Sequence, residues 1–202
     1  MKKDKTILTI ATRNPGKLRE IVPALSGLPV EIKSLKDFPF IGEIRESGKT
    51  FAENAVIKAR GVHAASKGYV LADDSGLVCE DLRGEPGIHS SRYSGPQATD
   101  EENNRKLVAE IAKSDDPSRR AAYVCVLCLI DPDGAETLVE ERCEGMITLT
   151  PGGTGGFGYD PYFFLPAFDK TMAEIPIQEK NKISHRGKAL KKIFDILKEE
   201  LR

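Results

Sequence analysis

The amino-acid sequence predicts an α/β fold, and three observations support this class. A strand-like run over residues 7–12 leads through a tight loop into a helical pattern, the order in which α/β folds begin. Two capping boxes, at Thr50 and Thr99, open further helices. Near the middle of the chain, two strand-like runs are joined by a hairpin turn. Strands and helices therefore alternate along much of the chain.

The first loop, residues 13–17, lies between the strand 7–12 and a helix predicted over residues 18–25, which Pro23 disturbs. Such a loop presents Lys17 and several backbone amides at a helix N-terminus, a favourable place for a phosphate group. A connection that binds no ligand is the alternative, because strand–loop–helix units are common.

A short strand is predicted over residues 30–35, and the capping box at Thr50 opens a helix that runs to about Lys67. Asn54 and Lys58 are four residues apart and share one face of this helix. That face can present an amide and an ammonium group to one ligand, or it can simply be solvated.

The segment Ser47–Thr50 resembles the end of a phosphate-binding P-loop. The motif requires glycine five residues before Gly48, where this chain has Glu43, and Glu46 would repel a phosphate. The sequence therefore does not predict a P-loop.

An acidic segment, residues 70–77, is the most informative part of the chain. Asp73 and Asp74 are adjacent, and Ser75 and Gly76 follow them. Like charges side by side require compensation, and Mg²⁺ provides it well because it prefers carboxylate oxygens. A polar turn between two strands is the alternative, since Asp-Ser-Gly is common in turns.

The second half of the chain continues the pattern. A long loop over residues 84–95 precedes a helix that starts after Thr99 and ends near residue 113. Strands are predicted over residues 120–130 and 136–144, with a hairpin turn at 131–134.

A glycine-rich loop over residues 151–161 surrounds Phe157 with five glycines. An aromatic ring on such a loop can stack on a flat ligand. A disordered linker is the alternative, and the aromatic residues within and after the loop argue against it.

The last predicted helix starts at Ser184 and runs to Leu201. His185 and Arg186 lie on its first turn, where cations gain nothing from the helix dipole. This placement points to a ligand, with chance placement as the alternative.

Composition excludes several classes of function. The 202 residues carry a net charge of −1, so we expect neither nucleic acid nor an anionic membrane to be a partner. The longest apolar run, residues 121–130, is too short to span a bilayer. Residues 1–6 lead directly into a strand pattern, so we expect no signal peptide and a cytoplasmic protein. Cys125 and Cys128 are three apart in a strand and face opposite sides, which predicts buried thiols instead of a zinc site.

Six motifs, in this order, resemble the inosine triphosphate pyrophosphatase family, the dITP/XTP pyrophosphatases. They are Thr12–Lys17, Glu46–Ala59, Ala72–Leu77, Pro86–Gly95, Gly153–Pro161 and Ser184–Gly187. Together they extend over nearly the whole chain. Two departures are Arg13, where a small residue is expected, and Ser91, where alanine is common.

The resemblance implies a single domain over residues 1–202, with an elongated, mixed, twisted sheet flanked by helices and two lobes around a nucleotide cleft. It implies Mg²⁺-dependent hydrolysis of ITP, dITP and XTP between the α and β phosphates, which gives a nucleoside monophosphate and pyrophosphate and cleanses the nucleotide pool. It also implies a homodimer.

The resemblance assigns roles residue by residue. Asp74 is the catalytic base, and Glu46, Asp73 and Asp74 form the environment of Mg²⁺. His185 and Arg186 are expected to read the base edge, and Phe157 to stack on the base. The full set of implied substrate-binding residues is Thr12, Arg13, Asn14, Pro15, Gly16, Lys17, Asn54, Lys58, Ser75, Phe157, Gly158, Tyr159, Asp160, Lys180, His185 and Arg186.

Overall fold

The computed structural model describes residues 6–66 and 68–202. The expectation that no signal peptide is present rests on residues 1–6, and residues 1–5 lie outside the described part. The predicted helix end at Lys67 lies outside it as well.

Seven strands and five α-helices are assigned in the described part of the chain. The strands are β1 (Thr6–Ile10), β2 (Val30–Ser34), β3 (Tyr69–Cys79), β4 (Arg120–Ile130), β5 (Glu136–Ile147), β6 (Phe163–Leu165) and β7 (Lys170–Thr171). The helices are α1 (Pro15–Ala24), α2 (Phe51–Ser66), α3 (Asp100–Ile111), α4 (Ile177–Ile183) and α5 (His185–Glu200).

The strands form one mixed sheet in the order β2-β1-β3-β4-β5-β6-β7. β1 runs parallel to both β2 and β3, whereas β6 pairs antiparallel with β5 and β7. The predicted α/β class, with a mixed sheet and flanking helices, is confirmed.

The described chain divides into two compact units. Unit 1 comprises residues up to Asp74 together with Cys125–Glu141 and Arg186–Arg202, and unit 2 comprises Ser75–Val124 and Arg142–His185. The implied cleft stays a prediction.

Unit 1 has its own apolar core, built on β1, β3 and β4 and covered by α1 and α5. Tyr69 and Leu71 of β3 point into this core. Side chains of a strand alternate between the two faces of its sheet, so Asp73 points to the same face as Tyr69 and Leu71, and Asp74 to the other. Ala55, Ala59 and Val62 of α2 are also buried.

Unit 2 has a separate core in which aromatic residues are prominent. Phe163 is completely buried, and its ring packs 4.5 Å from that of Tyr123, measured between centroids. Leu107 and Ile111 anchor the C-terminal half of α3 in this core. The other half of α3 carries polar side chains, which are described below.

Two interpretations of the sequence need correction. β3 runs without interruption through Asp73 and Asp74, so the acidic segment is not a turn. Gly76 is needed for close packing, because a Cβ there would collide with Ser90 and the Gly87 carbonyl. Helix α1 begins at Pro15, earlier than predicted, because Asn14 caps it.

The hairpin turn at 131–134 and the capping box at Thr99 are confirmed. None of the helices in the described residues is long and apolar enough to cross a membrane.

Candidate active site

Asp73 lies at the centre of a buried ion-pair network in unit 1. Its Oδ1 lies 2.5 Å from the Lys17 ammonium, and its Oδ2 accepts a 2.7 Å hydrogen bond from Arg186 Nε. Arg186 also pairs with Glu20. The side chains of Asp73, Glu20 and Arg186 are at most 3% exposed, and that of Lys17 is more exposed. Two cations and two carboxylates thus compensate one another away from water.

Asp74 has different partners because it faces the other side of the sheet. Lys58 of α2 donates a 2.6 Å hydrogen bond to Asp74 Oδ1, and the same ammonium lies 3.2 Å from Glu46 Oε1. The second oxygen, Oδ2, is buried and has no hydrogen-bond partner among the described residues. An unsatisfied, buried carboxylate oxygen is costly, and it marks a position for a ligand, a water molecule or an ion.

The charges in this network shift the acid–base properties of its members. Burial raises the pKa of Asp73, but the positive charges of Arg186 and Lys17 outweigh it and hold that pKa well below the ordinary value. Burial also raises the pKa of Asp74, and here Lys58 only partly offsets it, so the pKa stays above the ordinary value. Burial lowers the pKa of Lys58, but Asp74 and Glu46 outweigh it and leave that pKa raised. The two neighbouring carboxylates are therefore tuned in opposite directions.

The N-terminal loop is preorganised by its own side chains. Asn14 Oδ1 accepts hydrogen bonds from the backbone amides of Gly16 (2.8 Å) and Lys17 (3.2 Å), with Pro15 at the first position of α1. The amides expected to face a phosphate are thus capped by Asn14. Arg13 is held outside the loop, where it donates a 2.6 Å hydrogen bond to the Ile41 carbonyl. Thr12 Oγ1 accepts from the Asn14 amide at 3.2 Å.

Asn54 and Lys58 share a buried face of α2, so the solvated-face alternative is wrong. Asn54 is fully buried, and its Oδ1 accepts a 2.8 Å hydrogen bond from the Gly48 amide. Its Nδ2 has no partner within the described part of the chain. A buried amide donor therefore lies one helical turn from the Lys58 ammonium.

The glycine-rich loop, residues 151–161, is ordered by hydrogen bonds within unit 2, so it is not a linker. The Phe157 amide donates to Asp160 Oδ2 at 2.9 Å, and Lys180 pairs with the same oxygen at 2.6 Å. The Lys180 ammonium lies 5.1 Å from the centroid of the half-buried Phe157 ring, within cation–π range. Tyr159 donates a 2.7 Å hydrogen bond to the Ser90 carbonyl.

His185 is buried, and its ring stacks on Tyr123 with centroids 4.7 Å apart and planes inclined by 12°. Ser75 follows Asp74 on β3 and is half-buried. Both residues belong to unit 2, whereas Arg186 belongs to unit 1.

Sequence reasoning missed two members of the unit 1 network. Glu20 is 2% exposed although it lies on an otherwise amphipathic helix, where a charged residue normally indicates the solvated face. Cys125 Sγ lies 3.6 Å from Asp73 Oδ2, which accepts a hydrogen bond from the thiol. The predicted burial of Cys125 and Cys128 is confirmed, and Cys79 and Cys143 are buried as well. No sequence signal distinguishes Cys125 from the other three.

The carboxylates around Lys58 are candidate ligands for a divalent cation. The described residues contain no group of three or more His, Cys, Asp or Glu side chains suited to a metal ion. Mg²⁺, however, is commonly held by one or two carboxylates together with substrate phosphates and water. Glu46 and Asp74 converge on one cation, the Lys58 ammonium, and Asp74 has an unpartnered oxygen. This pair fits a magnesium ion shared with a phosphate.

Comparison with protein families matches residues 8–196 to the model of the Ham1 family. The chain is 48% identical over 192 residues to a dITP/XTP pyrophosphatase of Geobacter sulfurreducens, covering 95% of this chain and 96% of the relative. It is 47% identical over 186 residues to a dITP/XTP pyrophosphatase of Geobacillus kaustophilus, covering 92% and 91% of the two chains.

Among solved structures, the fold is similar to that of a HAM1 protein from Coxiella burnetii. The TM-score is 0.88 at 39% sequence identity, and the match covers 96% of this chain and 99% of that one. The similarity therefore extends over the strands, helices and loops described above.

Proposed function

The chain belongs to the Ham1 family, and we propose that it is a nucleoside triphosphate pyrophosphatase that hydrolyses ITP, dITP and XTP to the nucleoside monophosphate and pyrophosphate. The relatives named for this activity match it over nearly their whole length, which supports the proposal. The single structural observation that carries it is the Asp74 carboxylate, buried beside Lys58 with one oxygen unpartnered in the described residues.

Asp74 is proposed as the base that accepts a proton from the attacking water. A carboxylate is a weak base at neutral pH, and the raised pKa of Asp74 strengthens it. Oδ1 is held by Lys58, so Oδ2 is the oxygen available to the water. The hydrogen bond from Lys58 fixes the orientation of the carboxylate.

Magnesium is proposed as the cofactor, with Glu46 and Asp74 as its protein ligands. A bound magnesium ion would neutralise phosphate charge and acidify the attacking water. Asp73 stays a predicted third member of the magnesium environment. Both of its oxygens are already paired with Lys17 and Arg186, so it would have to exchange an ion pair for the metal.

The triphosphate is proposed to bind to the cations and amides of unit 1. Lys17 and Lys58 supply positive charge, and the buried Asn54 Nδ2 supplies a donor for a phosphate oxygen. Such groups stabilise the charge that develops in the transition state. The loop of residues 12–16, shaped by the Asn14 cap, completes this set. Lys180, one of the implied substrate-binding residues, is proposed to add a further positive charge, and its ion pair with Asp160 gives it a second role in shaping unit 2.

The purine is proposed to bind to unit 2, with Phe157 stacked on the base and Gly158, Tyr159 and Asp160 shaping the pocket. His185 is proposed to donate to the oxygen at position 6 of hypoxanthine and xanthine, and Ser75 to hydrogen-bond the nucleotide. Arg186 lies in unit 1, where it already pairs with Asp73 and Glu20, so its predicted contact with the base would require it to exchange one of these ion pairs. Adenine carries an amino donor there and would leave a buried donor unpaired, a penalty of about 1–3 kcal/mol. Discrimination against adenine follows from this mismatch. Guanine also carries the 6-oxygen, so its rejection must involve the 2-position of the ring.

The decisive experiment is product analysis with ITP, XTP, dITP and the four common ribonucleotides, with and without Mg²⁺. We expect pyrophosphate and monophosphate from the deaminated purines, and no turnover after chelation. Orthophosphate in place of pyrophosphate would indicate cleavage at the γ phosphate and refute the proposal. Binding of ITP with no turnover would indicate a nucleotide sensor instead.

We also propose that the protein acts as a homodimer in the cytoplasm. Light scattering after gel filtration tests the first point, with an expected mass of twice 22.2 kDa. Cell fractionation tests the second.

A further inference from the structure

Helix α3 holds both backbone groups of Gly158, the residue that follows Phe157 in the glycine-rich loop. The Gly158 amide donates a 2.7 Å hydrogen bond to Asp100 Oδ2, and Asn104 Nδ2 donates a 2.9 Å hydrogen bond to the Gly158 carbonyl. Asp100 and Asn104 are four residues apart, so one face of α3 carries both groups. We call this pair the α3 clamp.

The clamp acts at the point where the loop backbone changes direction. Gly156 and Gly158 have φ values of +74° and +62°, in the left-handed region that favours glycine. The Phe157 backbone lies between them, and its amide is fixed by Asp160. The orientation of the Phe157 ring therefore depends on the peptide groups before and after this residue. The α3 clamp holds the second of them, the peptide between Phe157 and Gly158, through the hydrogen bond to Asp100.

The clamp is separate from the part of α3 that packs in the core. Leu107 and Ile111, in the C-terminal half of the helix, are buried in the unit 2 core. Asp100 is exposed, and Asn104 is 7% exposed. Asn103, its buried neighbour, binds a different segment, accepting from the Ser94 amide at 2.8 Å. Loss of the clamp should therefore free the loop without unpacking the helix.

We infer that Asp100 and Asn104 are positioning residues that set the aromatic platform for the purine by fixing Gly158. This inference rests on the proposed function only in taking Phe157 as the residue that stacks on the base. The order of the loop in the free protein is a separate consequence and does not depend on any substrate.

The first test is hydrogen exchange of the substrate-free, full-length protein. In Asp100→Ala, the Gly158 amide should exchange about five- to tenfold faster, the change expected for loss of one ordinary hydrogen bond. Asn104→Ala should accelerate exchange over residues 156–160. Unchanged protection of the loop in Asn104→Ala would overturn the inference.

Two further variants separate the clamp from general effects on α3. Glu101→Ala removes an exposed charge from the same first turn, and it should leave loop exchange unchanged. Asp100→Asn retains an oxygen acceptor, and it should restore most of the protection lost in Asp100→Ala. Equal acceleration in Glu101→Ala would show that helix-end charge, not the clamp, orders the loop.

The second test is steady-state kinetics with ITP and ATP. In Asn104→Ala, KM for ITP should rise about five- to tenfold while kcat is kept, because stacking is a binding interaction. The ratio of kcat/KM for ITP to that for ATP should not change, since every base has a face on which to stack. A changed ratio, or a lower kcat at unchanged KM, would overturn the positioning role. If the wild type fails to hydrolyse ITP, the proposed function fails, and hydrogen exchange still decides whether the clamp exists.

Discussion

The two units hold their candidate functional groups by different physical means. In unit 1, Asp73 and Asp74 are fixed by ion pairs with Lys17, Lys58 and Arg186, most of them buried. In unit 2, the glycine-rich loop is fixed mainly by hydrogen bonds to its backbone, with the Lys180–Asp160 pair as the buried ionic contact. Ion pairs therefore position the candidate groups of unit 1, and hydrogen bonds to the backbone position those of unit 2.

The difference suits the two parts of a nucleoside triphosphate. A triphosphate is recognised by charge, and buried charges are strong only when their partners are in place. A purine is flat and uncharged, and a rigid aromatic surface recognises it through contact area. Changes in unit 1 should therefore affect turnover and stability, and changes in unit 2 should affect nucleotide binding.

The largest expected effect is on catalysis, in Asp74→Asn. Removal of a general base lowers kcat by about 10²–10⁴-fold. Nucleotide should still bind, because the cations of unit 1 remain. Stopped-time pyrophosphate assays and equilibrium ITP binding measure the two quantities. The exposed Asp195→Asn is the control, and near wild-type turnover in Asp74→Asn would show that another group is the base.

The second-largest expected effect is on the free energy of unfolding, in the variant Arg186→Met. Removal of the guanidinium breaks the buried ion pairs with Asp73 and Glu20 and should cost about 3–5 kcal/mol in the free energy of unfolding. Urea denaturation measures this cost. Lys191→Met, at an exposed pair on the same helix, should leave the urea midpoint unchanged. Equal midpoints in the two variants would show that unit 1 is not organised by buried charge.

A smaller effect is expected in unit 2, for Phe157→Ala. Loss of stacking should weaken nucleotide binding by about 1–3 kcal/mol and leave kcat and the urea midpoint near the wild-type values. Isothermal titration with ITP measures the binding change. Phe168→Ala removes an exposed aromatic ring from the same unit and serves as the control. An unchanged Kd would exclude stacking on Phe157.

The smallest effect is a displacement of the pH profile. Burial raises the pKa of Asp74, so as pH falls the ionised base is lost at a higher pH than for an ordinary aspartate. Lys58 lowers this pKa, so Lys58→Met should move the acid limb of kcat/KM further toward neutral pH. Lys36→Met, at an exposed lysine, is the control. An acid limb that does not move would show that Asp74 does not control the profile.

Local sequence signals predicted most of the larger elements. The strand predicted over residues 120–130 became β4 with the same bounds, because a strand buried on both faces is apolar at nearly every position. The Thr99 capping box placed the start of α3 correctly, since cap and helix lie within a few residues of each other. The short elements β6, β7 and α4 were not predicted, because segments this short acquire their structure from tertiary packing.

The same limit applies to the candidate site. Asp73 and Asp74 were identified from their adjacency, but their opposite orientations were not, because no strand was predicted to continue through them. Glu20, Asn104 and Cys125 were missed since each is significant only through a distant partner. Sequence motifs identify residues that contact a ligand more readily than those that hold such residues in place.

The opposite orientations of Asp73 and Asp74 on β3 have a consequence for protein engineering. The sheet backbone separates the ion pairs of Asp73 from the Asp74 carboxylate, so a substitution on one face leaves the side chains of the other face in place. A single-residue deletion upstream in β3 would exchange the two faces and disable both sides at once.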